Sequence, residues 1–458
     1  MVFSSILFLF RFLPAAFLVY YITPRRFKNG VLLILSLIFY SWGEARYFPI
    51  MIASILVDYF CSRGIESHRD NPKLCRVFLI LSVVFNLGML GFFKYTNFFV
   101  ENLNALFGLS LRGISLRLPL GISFYTFQTM SYTIDVYRGK VKAETNIIDF
   151  GAFVVLFPQL IAGPIVKYTD INRELKERRM DLVQIEDGIK YFILGLGSKV
   201  LIANSIGMLW TELEGMGFSG ISTPLAWIGI LAYALQIYFD FSGYSLMAIG
   251  LGRMLGFDFP KNFDFPYISK SITEFWRRWH MTLGSWFREY LYFPLGGSRR
   301  GPARTYFNLF VVWAATGFWH GANWNFILWG LYFFVLLVIE KRWFLTRLNS
   351  SKVVCHVYLA IALSISWVLF AITDLSLVGQ YLSQMFAFQG GSDWIYYLRN
   401  YGITFLVAMV LATPCLKPLY QKWENNLWFS IPFFGLILVL SVAYLVDASY
   451  NPFLYFRF

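Results

Sequence analysis

Charge is scarce in this sequence: of 458 residues only 14% are Asp, Glu, Lys or Arg, while 57% are hydrophobic. A soluble domain carries about 25% charged residues. That deficit excludes an ordinary water-soluble globule and makes lipid the main solvent. Cysteine is scarce as well. Cys61, Cys75, Cys355 and Cys415 stand singly, without the paired spacing of a zinc site or redox dithiol, and read as buried or lipid-facing thiols. A His-Glu-x-x-His helix, a phosphate loop and a Gly-x-Ser-x-Gly elbow are all missing; "GLGSK" at 195–199 lacks the phosphate-loop spacing. No Ser-rich or Pro-rich linker interrupts the chain, so the simplest organisation is one membrane domain over residues 1–458.

Apolar runs are abundant. They lie near 5–22, 30–44, 77–93, 148–166, 226–250, 306–319, 324–340, 354–372, 402–414 and 429–447. Crossing a ~30 Å hydrocarbon core takes roughly 20 helical residues, which makes about ten spans, or about thirteen if weaker runs near 47–60, 117–136 and 189–207 also cross. The expected fold is therefore all-α, a polytopic membrane protein. The first run has no basic region before it and no small-residue cleavage site after it, so it is expected to remain as an anchor.

The formal charge of +13 is explained by position. Arg63, Arg69, Lys73 and Arg76 flank apolar ends, as do Lys167 to Arg179, Arg299 to Arg304 and Lys341 to Lys352. Such loops face the cytoplasm under the positive-inside rule. They accompany no nucleic-acid motif, and no nucleic-acid partner is expected.

Polar groups enter the apolar pattern mainly between residues 236 and 325. The run 270–301 carries Glu274, Arg277, Arg278, Arg288 and Glu289, each costing about 2.5–3.5 kcal/mol at a bilayer centre. It reads as an interfacial or re-entrant helix, ended by Pro294, Gly296 and Gly297. Helical spacing places Trp276, His280 and Ser285 near one another, with Arg277 and Arg288 turned elsewhere.

Of four histidines, His68 lies in a charged loop and His356 at a span end, where solvation and capping account for them. His280 and His320 sit among Trp and Phe in membrane sequence, where an ionisable residue is a functional candidate; a purely structural histidine is the alternative for each. Neutral imidazole accepts a proton near pH 7, and burial favours that neutral form. Asp240, ringed by Tyr238, Phe239, Phe241 and Tyr244, has two readings. It either makes a structural hydrogen bond or ion pair between helices, or it orients a histidine or arginine lining a cavity.

Five ordered blocks carry a family resemblance: "LPLGISFYTFQTMSYTIDVYRG" at 118–139, "FPQLIAGPI" at 157–165, "YFDFSGYSLMAIGLGRMLGFDFPKNF" at 238–263, "FWRRWHMTLGSWFREYLYFPLGG" at 275–297 and "GFWHGANWNFILWG" at 317–330. With the ending "NPFLYFRF", they resemble the membrane-bound O-acyltransferases, in particular the bacterial alginate O-acetyltransferase branch. The resemblance implies many helices around a tunnel crossing the cell membrane, with a catalytic core near 118–330. It implies His320 as the essential catalytic residue and His280 as the second active-site position. Leu246 stands where that branch commonly has Asp, a departure that bears on the acceptor and leaves the histidines untouched.

The same resemblance implies transfer of an acyl group, acetyl first of all, from cytoplasmic acetyl-CoA to hydroxyls of an extracytoplasmic polysaccharide, directly or through an SGNH-hydrolase-type membrane partner. His320 would act as general base, and His280 or Asn323 would stabilise the oxyanion. Asp240, Trp276, Arg278, Trp319 and Asn323 are expected around the substrates. Trp276, Trp279, Trp319 and Trp324 are candidates for a wall that excludes water, with interface packing as the other reading. Arg299, Arg300 and Arg304 either attract the donor's phosphates or simply mark a cytoplasmic loop. No metal and no tightly bound cofactor is required. Two other classes stay open: a glycan or lipid-linked-sugar flippase, and a non-catalytic scaffold of a polysaccharide-export complex, which would have no need of His320.

Overall fold

The computed structural model describes residues 2–454 apart from Ser115, Ala162, Arg179, 345–350, 448–449 and Phe453. The regular structure of the described residues is helical throughout. Among the described residues, seven helices are long and apolar enough to cross a bilayer: Arg25–Ser67, Pro72–Phe107, Leu182–Met216, Thr223–Met254, Trp324–Phe344, Lys352–Ala371 and Leu427–Asp447. The pair Asp393–Leu411 and Pro414–Trp423, bent by 66°, brings the number to eight.

That count is lower than the apolar runs suggest, for local reasons. The runs at 30–44 and 47–60 join into the single stretch Arg25–Ser67 through the tight turn Ala45–Tyr47. The run at 148–166 folds instead as two short helices, Ile147–Val155 and Phe157–Leu160, separated where Leu156 leaves helical geometry. Pro158 explains the break, because its ring and missing N–H disrupt a continuing helix. The weaker run at 189–207 lies within Leu182–Met216.

The chain forms two compact units. The first comprises residues 1–192 and 247–260. Its helices Phe48–Ser67, Pro72–Phe107 and Ile122–Tyr137 pack together around a fully buried carboxylate, Asp58. Ser82 donates to Asp58 Oδ1, Asn86 Nδ2 to Oδ2 at 2.8 Å, and Thr133 Oγ1 to Oδ1 at 3.0 Å. One carboxylate thereby ties three helices, since a buried charge left without donors would cost roughly several kcal/mol in a low dielectric.

The second unit comprises residues 193–246 and 261–458. Six of the helices in its interior position the residues discussed below: α1 (Thr223–Met254, which leaves this unit after Leu246), α2 (Ile272–Arg278), α3 (Met281–Phe287), α4 (Pro302–His320), α5 (Trp324–Ile339) and α6 (Lys352–Ala371). In α1, 83% of the apolar window is buried, against 17% for Leu427–Asp447. A uniformly apolar helix is thus the outer one, and the polar-rich α1 lies inside, as expected where polar groups must find partners away from lipid.

Helices α4 and α5 are joined by three residues and pack against each other at glycine. A Cβ on Gly317 would meet the Phe326 carbonyl oxygen at 2.4 Å, and one on Gly330 would meet the Trp313 carbonyl oxygen at 2.4 Å. Neither backbone can yield without separating the helices. Gly330→Ala should therefore lower stability by about 1–3 kcal/mol, the usual cost of overpacking. Gly88→Ala, which meets nothing within 4 Å, should be neutral or slightly stabilising. Thermal unfolding in detergent checks both.

Candidate active site

The run 270–301 is not one helix. Helix α2 ends at Arg278, Trp279 is extended (φ −102°, ψ 129°), and His280 is left-handed (φ 44°, ψ 53°) before α3 begins. Trp276, His280 and Ser285 therefore do not share a helical face. A left-handed L-residue costs roughly 1–2 kcal/mol, so other interactions must hold it. They come from the segment 261–265. Asp264 N donates to Arg278 O at 2.9 Å and Met281 N donates to Asn262 O at 2.9 Å. The Asn262 side chain completes the joint.

Asn262 also decides how His280 presents itself. Its Oδ1 accepts from Thr282 N at 3.3 Å and Thr282 Oγ1 at 2.9 Å, while its Nδ2 donates to Ser245 Oγ at 3.0 Å. A backbone N–H can only donate, so the amide oxygen must face Thr282. His280 Nδ1, 3.1 Å from the same oxygen, is consequently the protonated nitrogen, and Nε2 is the basic one. The imidazole is 2% exposed and packs on Phe241 at 4.7 Å between ring centroids. Burial pushes its pKa down to about 3, so the ring is neutral at physiological pH.

His320 is the last residue of α4 and is 5% exposed. Its ring meets Trp319 at 5.0 Å, Trp329 at 4.9 Å and Phe370 at 5.3 Å. Trp319 is in turn 6.3 Å from His280. One indole thus stands against both histidines. Trp276 extends the same shell, packing on Trp329 at 5.6 Å and Phe333 at 4.9 Å, and Trp279 packs on Trp367 at 5.1 Å. Trp324, expected in this wall, is 53% exposed and lies outside it; Trp329, one turn and a half along α5, takes the place.

The remaining candidates separate. Asp240 Oδ1 pairs with Lys199 Nζ at 2.6 Å, and Asp240 Oδ2 accepts from Leu454 N at 2.9 Å. Of its two readings, the interhelical ion pair is the one present, and no histidine is oriented by it. Arg278 is engaged by Glu274 at 2.9 Å and Asp264 at 3.4 Å, bracing the joint rather than facing the histidines. Asn323 is exposed at the start of α5. Arg299 and Arg300 are exposed, and Arg304 Nε donates to Leu295 O at 3.1 Å. Beside this basic turn lies a cavity of about 350 Å³ lined by residues that include Ser298, Thr305, Tyr306, Lys341 and Arg342.

A model of the membrane-bound O-acyltransferase family matches residues 140–381, the stretch that contains both histidines. A probable alginate O-acetylase of Pseudomonas putida is 38% identical over the full length of both chains. The chain belongs to the membrane-bound O-acyltransferase family. A peptidoglycan O-acetyltransferase of Helicobacter pylori is 32% identical across all of this chain and 98% of its own. A teichoic acid D-alanyltransferase of Streptococcus thermophilus is 31% identical over 51% of this chain and 59% of its own.

The protein is thus a multi-pass membrane O-acyltransferase, and its second unit brings His280, His320, Trp276 and Trp319 of the expected site into one aromatic shell. Sequence reasoning did not single out Asn262, Trp329 or Lys199. Asn262 sits inside the quoted block at 238–263, but its role depends on a left-handed turn that helical periodicity hides. In this acyltransferase Asn262→Leu would remove the oxygen that Thr282 and His280 share and release the His280 ring. Stability should fall by about 1–3 kcal/mol for the lost buried hydrogen bonds, and acyl transfer should fall at least about tenfold at temperatures where the variant remains folded. Thermal melts paired with transfer rates measure the two effects; transfer at the wild-type rate would show that the Asn262 contact does not matter to the site.

Proposed function

We propose that the acyltransferase moves acetyl from cytoplasmic acetyl-CoA to hydroxyls of an extracytoplasmic polysaccharide at the cytoplasmic (inner) membrane, with His320 as general base. The relatives differ in acceptor, as their names give alginate, peptidoglycan and teichoic acid. An acyl group and an envelope polymer are what those names have in common. The observation that carries the reading is His320 itself: an imidazole buried in an indole and phenyl shell, with a second, neutral imidazole on the far side of Trp319.

Acceptor oxygen attacks the thioester carbonyl as His320 takes its proton. The tetrahedral intermediate then expels coenzyme A thiolate, which recovers the proton from the imidazolium. The C-terminal end of α4, where His320 sits, favours that transient positive charge. His280 cannot serve as the oxyanion donor in its neutral tautomer, because its N–H is directed to Asn262; Nε2 instead suits an acceptor for a neighbouring hydroxyl of the acceptor sugar, leaving the proton of the attacking hydroxyl to His320. Asn323, exposed, does not suit either. The indole N–H groups of Trp276 and Trp329 do: both are buried without a hydrogen-bond partner among the described residues, and both rings pack in the His320 shell.

At the other end, the basic cavity by Lys341 and Arg342, flanked by Arg299 and Arg300, suits the donor's phosphates. Arg304 lies at the same turn. The acetyl group passes to the polysaccharide directly or through an SGNH-hydrolase-type membrane partner. Water excluded by the aromatic shell keeps the thioester from hydrolysis.

Purified full-length protein supplied with radiolabelled acetyl-CoA and a polysaccharide acceptor tests this. Wild type should transfer label, and His320→Ala should lose about 10²–10⁴-fold while its melting profile persists. Equal turnover by the variant would overturn the role of His320.

A further inference from the structure

The buried carboxylate of Glu340 is used by neither histidine, yet it touches the element that carries one of them. Glu340 is fully buried at the end of α5, the first residue of a π-helical turn, Glu340–Phe344. Its Oε1 accepts from Ile272 N at 2.6 Å and Tyr358 OH at 3.1 Å. Its Oε2 accepts from Thr273 N at 2.9 Å and Thr273 Oγ1 at 2.7 Å.

These contacts complete the first turn of α2. A helix begins with four N–H groups that lack an intrahelical partner. Here Ser271 Oγ accepts from Glu274 N at 3.0 Å, and the first intrahelical bond runs from Phe275 N to Ser271 O at 2.9 Å. Ahead of that bond, Ile272 N and Thr273 N both donate to Glu340. Seven residues are too few for a helix to hold itself in place, so α2 is located by what binds its ends: Glu340 at its start and Asn262 with Asp264 after its last residue. Helix α2 carries Trp276 into the His320 shell and leads directly to His280. Helix α5 carries both Trp329, which packs on His320, and Glu340.

We infer that Glu340 is a positioning residue for acyl transfer, clamping α2 to the end of α5 and Tyr358 of α6 so that the His280 arm keeps its register against the His320 shell. π-Helical turns commonly re-aim side chains at functional sites, and this one turns Glu340 inward while the next two residues, Lys341 and Arg342, line the basic cavity. The clamp residue is therefore followed directly in the chain by two residues of the basic cavity. This inference rests on the acyl-transfer reading for its kinetic consequence, not for its structural one.

Glu340→Gln keeps shape but can offer only one acceptor oxygen, and its amide N–H would oppose a backbone N–H of α2. Full-length protein in detergent is assayed in two ways. With acetyl-CoA and acceptor, Glu340→Gln should lower kcat about tenfold or more with the donor KM changed less than about twofold, and Glu340→Asp, which keeps two acceptor oxygens, should recover part of the loss. By hydrogen exchange, amides of 272–283 should exchange at least about tenfold faster in Glu340→Gln, while those of Pro72–Phe107 stay at the wild-type rate. Unchanged exchange at 272–283 would overturn the clamp whatever the activity. Faster exchange with unchanged kcat would reduce Glu340 to a structural cap and overturn its part in transfer. If wild type transfers no acetyl and His320→Ala changes nothing, the acetyl-transfer reading fails, and the exchange result still decides the clamp.

Discussion

The site depends on one backbone event, the left-handed turn at His280. A continuous helix through residues 270–301 would leave His280 on a regular face, free to rotate and to choose its tautomer. The break instead delivers the imidazole to Asn262, whose amide is itself oriented by the Thr282 N–H and by Ser245. Strain of this kind persists only where the surroundings over-determine it. Here the surroundings are the segment 261–265, with its hydrogen bonds and the Phe263 ring, and the Phe241 ring of α1.

A second constraint places His320. Helices α4 and α5 approach so closely at Gly317 and Gly330 that carbonyl oxygens occupy the space of side chains. That approach lets Trp329 close on His320 and Trp276 close on Trp329. Between the two constraints lies Trp319, in contact with both imidazoles. The chemistry this permits is proton transfer in a site poor in water, which suits the acyl transfer proposed for it.

Much of this was legible from residue types alone. Scarce charge and recurring apolar runs specified an all-α membrane protein, and two histidines among indoles marked the candidate site. Span number was less legible, because Pro158 and the tight turn at Ala45–Tyr47 divide or fuse runs that hydropathy treats as equivalent. Asp240 was ambiguous for a different reason: its partner Lys199 lies 41 positions earlier in the chain, and only folding shows that the pair neutralises itself. Trp324 and Trp329 both fit an aromatic wall by type, and helix rotation chose between them. Asn262 and Glu340 were hidden because their meaning lies in which backbone N–H groups they meet. Periodicity describes regular helices, whereas this site is assembled where helices stop.

The most direct test of the account is a cryo-electron microscopy structure with a non-hydrolysable acetyl-CoA analogue bound. The acyl carbon should lie in the shell of His320, Trp319 and Trp329, with room for an acceptor oxygen about 3–3.5 Å from it, and His280 Nδ1 should still face Asn262. The analogue's phosphates should lie by Lys341 and Arg342. An acyl group lodged in the first unit, or on the far side of the shell from both imidazoles, would contradict the assignment of this histidine pair as the centre of transfer.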